Sequence, residues 1–258
     1  MKKRIVFVAD DFGMSPEINA AIVHTHVSGA LSAAALMMGQ SATAEAVAMA
    51  HQHQGLQTGW HLHLNDSFPT TESQWPWGKS PARAGLSISL SSRSREIVRR
   101  EIARQWELFQ ATGLRCDFVN SHHHLHAHPF VHSILAETLG PDFKGWIRYG
   151  RVRFFSPALR FLTSGPVVGA CFHRAQKLST WESPDTLWGL DRLFAMKAAE
   201  VRHVISQLPP GFHEFLFHPR KFSCPDTQCL LELGLLSKVD TGCAGGDFGW
   251  RQGDERGT

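Results

Sequence analysis

The 258-residue chain has no run of about 18 uncharged apolar residues, so it carries no candidate membrane-crossing helix. It has neither a G-x-G-x-x-G turn nor a G-x-x-x-x-G-K-[ST] loop, which argues against dinucleotide or nucleotide chemistry. No G-x-S-x-G elbow offers a serine nucleophile. The five cysteines are odd in number and none forms a C-x-x-C pair, so Cys224 and Cys229 in "CPDTQC" read as reduced bystanders. A formal charge of only +3 does not suggest a dedicated nucleic-acid binder. In "MKKRIVFVADDFG" two acidic residues stand where a secretory signal would continue its apolar stretch, which gives a cytoplasmic expectation. Tyrosine occurs once, whereas histidine occurs sixteen times.

Apolar residues make up 43% and charged residues 19%, enough for one sizeable core. Short apolar runs alternate with helix-patterned stretches, the signature of βα units. Strand "RIVFVA" breaks at Asp10 and Asp11; then Ser15 as N-cap, Pro16, Glu17 and Gly29 bound a helix. The pattern continues with strand "ALSAAALMMG", helix "SATAEAVAMAHQHQG", strand "LQTGWHLHLN" and an irregular stretch from about residue 66 to 92. Val98, Ile102, Trp106 and Phe109 mark the apolar stripe of a helix over roughly 93–112. Strand "CDFVNSH", a helix opened by Pro129, a strand at "GWIRYGR", helix "LDRLFAMKAAEVRHVISQL", strand "FHEFLFHP" and helix "TQCLLELGLLSK" follow. The sequence predicts one domain over residues 1–240 and a weakly ordered tail over 241–258.

Four strands end in side chains able to bind metal or move protons, and parallel βα folds gather such strand ends at one face. Asp10 and Asp11 read as one ligand and one general base, or as the solvated start of a loop. His61 and His63 share a strand face, so one can be a ligand and the other its neighbour, or each a satisfied core histidine. In "NSHHHLHAHP" an extended backbone would place His122, His124, His126 and His128 on one face, with surface decoration as the alternative. His218 in "FLFHPR" stands where an acid/base histidine or a turn histidine would, and Glu214 lies earlier on its strand. Trp75 and Trp77 in "WPWG" suit sugar stacking or a satellite cluster. From Phe143 to Trp181 no residue is acidic, while Lys144, Arg148, Arg151, Arg153, Arg160, Arg174 and Lys177 are interleaved with apolar residues. That stretch suits an anionic membrane surface or an amphiphilic substrate, or is simply a solvated basic face.

The ordered motifs "VADDFGMSPEIN", "GWHLHL", "NSHHHLHAHP" and "FLFHP" resemble those of the YdjC-like carbohydrate deacetylases, over about Arg4 to His218. "QWELFQATGLRCDFVNSHHHLHAHP" and "LPPGFHEFLFHP" look most like the hopanoid-biosynthesis-associated branch. The resemblance implies an α/β fold, a single-domain irregular (β/α) barrel of the polysaccharide-deacetylase-like kind. It implies one divalent metal ion, magnesium or zinc foremost, held by Asp11, His61 and His122, with Asp10 as catalytic base and His218 lining the site, where the expected reaction uses it as a catalytic proton donor. The expected reaction removes acetyl from an N-acetylglucosamine-containing oligosaccharide or glycolipid, with peripheral lipid contact and a homodimer left open. A non-catalytic metal- or sugar-binding barrel and an O-acetyl esterase are the rival readings. Asn120 stands where many family members have Asp before the Ser-His-His run, and the family's C-terminal segment is hard to recognise after about Leu236.

Overall fold

The computed structural model describes residues 3–156 and 165–239, with backbone alone from 235 onward. Its strands are β1 (Lys3–Phe12), β2 (Ala33–Leu36), β3 (Gln57–Leu62), β4 (Phe118–Ser121), β5 (Trp146–Ile147), β6 (Arg151–Val152), β7 (Thr186–Trp188) and β8 (Gly211–Phe217). They form one parallel sheet in the order β5-β4-β3-β2-β1-β8-β7-β6, a cyclic order cut between β5 and β6. At the cut, Trp146 bridges to Glu182 ahead of β7. The expected irregular (β/α) barrel is present in this open form. The tail over 241–258 lies outside the described residues.

Helices α1 (Pro16–Val27), α2 (Thr43–Gln52), α3 (Pro81–Leu90), α4 (Ser92–Ala111), α5 (Pro129–Leu139), α6 (Gly165–Leu178) and α7 (Ala198–Gln207) lie between strands, and α8 (Pro225–Val239) follows β8. The α1 signals act as expected: Ser15 Oγ accepts from Ile18 N, and Gly29 takes φ +98° beyond the last turn. On α4, Val98, Ile102 and Phe109 are buried, with Trp106 stacked on Phe109. None of the described helices is long and apolar enough to cross a membrane.

Several expectations need correction. β1 continues through Asp10 and Asp11 to Phe12, with an irregular register between Ala9 and Phe12. The stretch 66–92 contains α3, capped by Ser80 Oγ on Arg83 N and opened by Pro81. "GWIRYGR" is not one strand, because Ile147 pairs with β4 whereas Arg151 pairs with β7. The helix expected from Leu190 begins only at Ala198, and β7 and α6 had no sequence signal.

The barrel interior has two layers, set by the two-residue strand period. A separate apolar cluster of Val6, Val8, Ala33, Ala35, Phe118, Trp146 and Phe212 fills its lower part. Two residues further along the same strands, Val8 gives way to Asp10, Gly59 to His61, Phe118 to Asn120, Trp146 to Arg148 and Phe212 to Glu214, all buried. The intervening residues, such as Phe7, Ala9, Trp60, Val119, Phe215 and Phe217, belong to the main core. Gly59 lets the layers close, since a Cβ there would lie 2.5 Å from the Phe118 ring. Gly59→Ala should therefore cost about 1–3 kcal/mol by overpacking, measured by urea denaturation. An unchanged midpoint would show that Phe118 has room to move.

Candidate active site

The irregular end of β1 is built to present Asp11. Its backbone has φ +68°, a left-handed conformation uncommon for a residue other than glycine. The chain is then held by Asn19, whose Oδ1 accepts from Gly13 N at 2.7 Å and whose Nδ2 donates to Ala42 O and Glu45 Oε2. Asn19 lies in the "SPEIN" segment but carried no separate sequence signal for this task.

Asp11, His61 and His122 each offer a ligand atom, and these atoms lie within 4.8 Å of one another. His122 Nδ1 is 2.9 Å from Asp11 Oδ1, and His61 Nε2 is 3.4 Å from the same oxygen. Asp11 Oδ2, His61 Nε2 and His122 Nε2 are buried without a hydrogen-bond partner. Buried polar atoms of this kind call for a partner. One carboxylate with two imidazoles is a donor set that suits a divalent cation and leaves coordination positions open. Burial works against the Asp11 carboxylate, but the two imidazoles outweigh it and hold its pKa well below the usual value. For His61, burial is opposed by Asp10 and Asp11, and the net shift is upward.

Asp10 is 2% exposed and held by three donors. Arg148 Nη1 reaches Oδ2 at 2.6 Å and Nη2 reaches Oδ1 at 3.0 Å, while Asn120 Nδ2 donates to Oδ1 at 2.9 Å. Arg148 also donates through Nε to Glu214 Oε1 at 2.5 Å. Burial alone would raise the Asp10 pKa; the Arg148 guanidinium and His61 reverse that and bring it to about 2. For Glu214, burial prevails over Arg148 and the shift is upward. Arg148 thus leaves the basic stretch that the sequence offered as membrane-facing, substrate-facing or solvated. Its place two positions after Trp146 on β5 was the signal that could have placed it.

The remaining histidines sort by their contacts. The run does not extend: residues His122–Ala127 form a 3-10 turn with His123 and His124 at φ +54° and +61°. His126 Nε2 donates to Arg148 O and its Nδ1 accepts from Ser121 Oγ, fixing the Arg148 backbone. His128 caps α5 through Nδ1, accepting from Phe130 N. His63 lies apart from the trio, donating through Nε2 to Met38 O and accepting at Nδ1 from Ser67 Oγ. Asp66 and His123 form a more exposed grouping that shares His122, but Lys79 already engages Asp66 at 3.2 Å. Trp75 and Trp77 are buried and stacked, with their indole N–H groups on Ser67 O and Leu64 O, and they belong to the main apolar core rather than to a sugar-stacking surface or a satellite cluster.

His218 is only part-buried, and its ring packs edge-on against Phe194, 5.2 Å between centroids. Its backbone N–H donates to Asp226 Oδ2 at 2.7 Å, and Asp226 Oδ1 also accepts from Met196 N. Burial lowers the His218 pKa, and the carboxylates of Asp11, Asp10 and Asp226 only partly restore it. The strand ends thus gather Asp10, Asp11, His61, His122 and His218 around one polar interior.

An open (β/α) barrel with one carboxylate and two imidazoles at its strand ends defines the class of protein. Within that class the chain belongs to the YdjC-like protein family, whose model matches residues 4–231. It is 33% identical over 148 residues to a carbohydrate deacetylase of Brevibacillus brevis, covering 57% of this chain and 59% of that one. A carbohydrate deacetylase of Vibrio vulnificus is 34% identical over 128 residues, 49% of this chain and 51% of that one. The chain thus spans about half the length of the curated relatives it matches. A solved Enterococcus faecalis structure, described as a candidate cellobiose-phosphate cleavage protein, superposes with a TM-score of 0.66 at 16% identity, covering 93% of this chain and 95% of that one. That likeness is one of fold.

Arg148→Met would leave Asp10 and Glu214 buried without their common counter-charge, at a cost of about 3–5 kcal/mol near neutral pH. With Arg148 gone, protonating these carboxylates relieves the repulsion, so the deficit relative to the parent should shrink as pH falls from 7 to 5. Paired urea titrations measure this. A deficit independent of pH would show that the variant suffers from lost packing alone.

Proposed function

We propose that the chain is a divalent-metal-dependent carbohydrate N-deacetylase that hydrolyses the acetamide of an N-acetylglucosamine-containing substrate and releases acetate. The observation that carries this reading is the trio Asp11, His61 and His122, with its unpartnered buried atoms, beside a second carboxylate kept ionised. The curated relatives named carbohydrate deacetylase support it. Asp11, His61 and His122 would hold the cation. When bound, a divalent ion supplies Lewis-acid polarisation of the acetyl carbonyl and acidification of water.

The chain's own residues divide the remaining work. Of the lone-pair positions on the Asp10 carboxylate, two on Oδ1 and one on Oδ2 are taken by Arg148 and Asn120. The free position on Oδ2 is the one that accepts the proton of the attacking water. His218 is the proton donor to the departing amine and takes from solvent the proton it delivers; its lowered pKa makes the imidazolium, once formed, a ready acid. Asp226 fixes the strand end that carries it.

A purely metal- or sugar-binding barrel has no need of Asp10, whose burial requires Arg148 and Glu214 as well. Exposed Phe68 and Phe194, on the loops after β3 and β7, favour a substrate with an apolar portion, such as an N-acetylglucosaminyl lipid, over a soluble chitooligosaccharide. Acetate release from both substrates, with and without chelator, tests the reading. Chelator should abolish release, and Asp10→Asn should lower turnover roughly 10²–10⁴-fold while the cation still binds. Retained turnover in that variant would remove Asp10 as base. Release of acetate only from O-acetylated sugars would replace the amidase by an esterase.

A further inference from the structure

The polar layer of the barrel is a chain of hydrogen bonds with a fixed direction. It begins at Arg148, a group with donors only, which grips Asp10 through two N–H groups. Asp10 is therefore an acceptor toward every other neighbour. Asn120 touches it at 2.9 Å, and only the Nδ2 end of the amide can make that contact, because the oxygen end would set two acceptors against each other. The amide cannot flip without losing this bond. Its Oδ1 end then points the other way and meets His61 Nδ1 at 2.6 Å. An amide oxygen only accepts, so the proton of His61 sits on Nδ1. The bare lone pair of His61 lies on Nε2, the atom buried without a partner and facing Asp11.

We infer that Asn120 is a positioning residue that converts the fixed charge of Arg148 into the tautomer of His61, presenting Nε2 as a ligand atom while steering Asp10 by its second bond. The side chain at 120 has two separable duties. Its oxygen serves His61, which an aspartate could also do; its N–H serves Asp10, which an ionised aspartate cannot do. Asn120 itself is fully buried on β4, paired in register with His61 on β3, so no water has room to replace either contact. This inference rests on the proposed reading only in calling His61 a ligand.

The test starts with the metal-free wild-type protein and needs no activity. The ¹⁵N shifts of His61, recorded with its imidazole neutral, should show protonation at Nδ1. Protonation at Nε2 would overturn the inference. Asn120→Leu should lose that preference and bind zinc about 10–100-fold more weakly by calorimetry, as removal of a hydrogen-bond partner of a ligand histidine does. Asn120→Asp should keep the Nδ1 tautomer and zinc affinity within a few-fold of wild type, because a carboxylate oxygen still accepts from His61 Nδ1. Equal loss of zinc affinity in both variants would overturn it, since a merely structural amide predicts no such split. A correct tautomer in a protein that binds no zinc would sink the metal-dependent reading and leave this inference standing.

Discussion

A guanidinium buried at the centre of the barrel is the constraint from which the site follows. Arg148 is fully buried and lies between Asp10 on β1 and Glu214 on β8. Taking three charges out of water is expensive, and such a group persists only where geometry and further hydrogen bonds compensate. Here the compensation is directional: the guanidinium fork fits the Asp10 carboxylate with two bonds, and the third donor reaches Glu214. Asp10 is thereby fixed in both rotamer and charge.

The same constraint ties fold to chemistry. Strands of period two place an apolar layer low in the barrel and a buried polar layer directly above it, toward the strand ends. Asp11 would face away from this interior if β1 remained regular. Its left-handed backbone turns it inward beside His61 and His122. The strain at Asp11 is sustained by the Asn19 side chain, which bonds Gly13 and Ala42 across the turn.

Much of this was legible in the sequence where local chemistry decides the structure. Ser15 and Pro16 announce a helix start, and the alternation of short apolar runs with helix-patterned stretches announces the barrel. Polar residues at strand ends, Asp10, Asp11, His61, His122 and His218, stand out because the strands before them are so apolar. Arg148 was misread because it was grouped with the other basic residues of its stretch, of which Lys144, Arg151 and Arg153 are exposed, while its partners lie 138 and 66 residues away. The histidine run was misread because alternation suggests an extended strand, whereas the left-handed pair His123 and His124 puts a kink into a short helical segment. The shortest strands, β5, β6 and β7, span two or three residues each and leave no period to detect.

The central claim is that Asp11, His61 and His122 share one divalent cation at the mouth of this polar layer. Anomalous diffraction from crystals soaked in a zinc or cobalt salt tests it most directly. The account predicts one strong peak at bonding distance from an oxygen of Asp11 and a nitrogen of each histidine, with Asp10 still on Arg148. A peak held by other residues, or none at full occupancy of soaking ion, would contradict it.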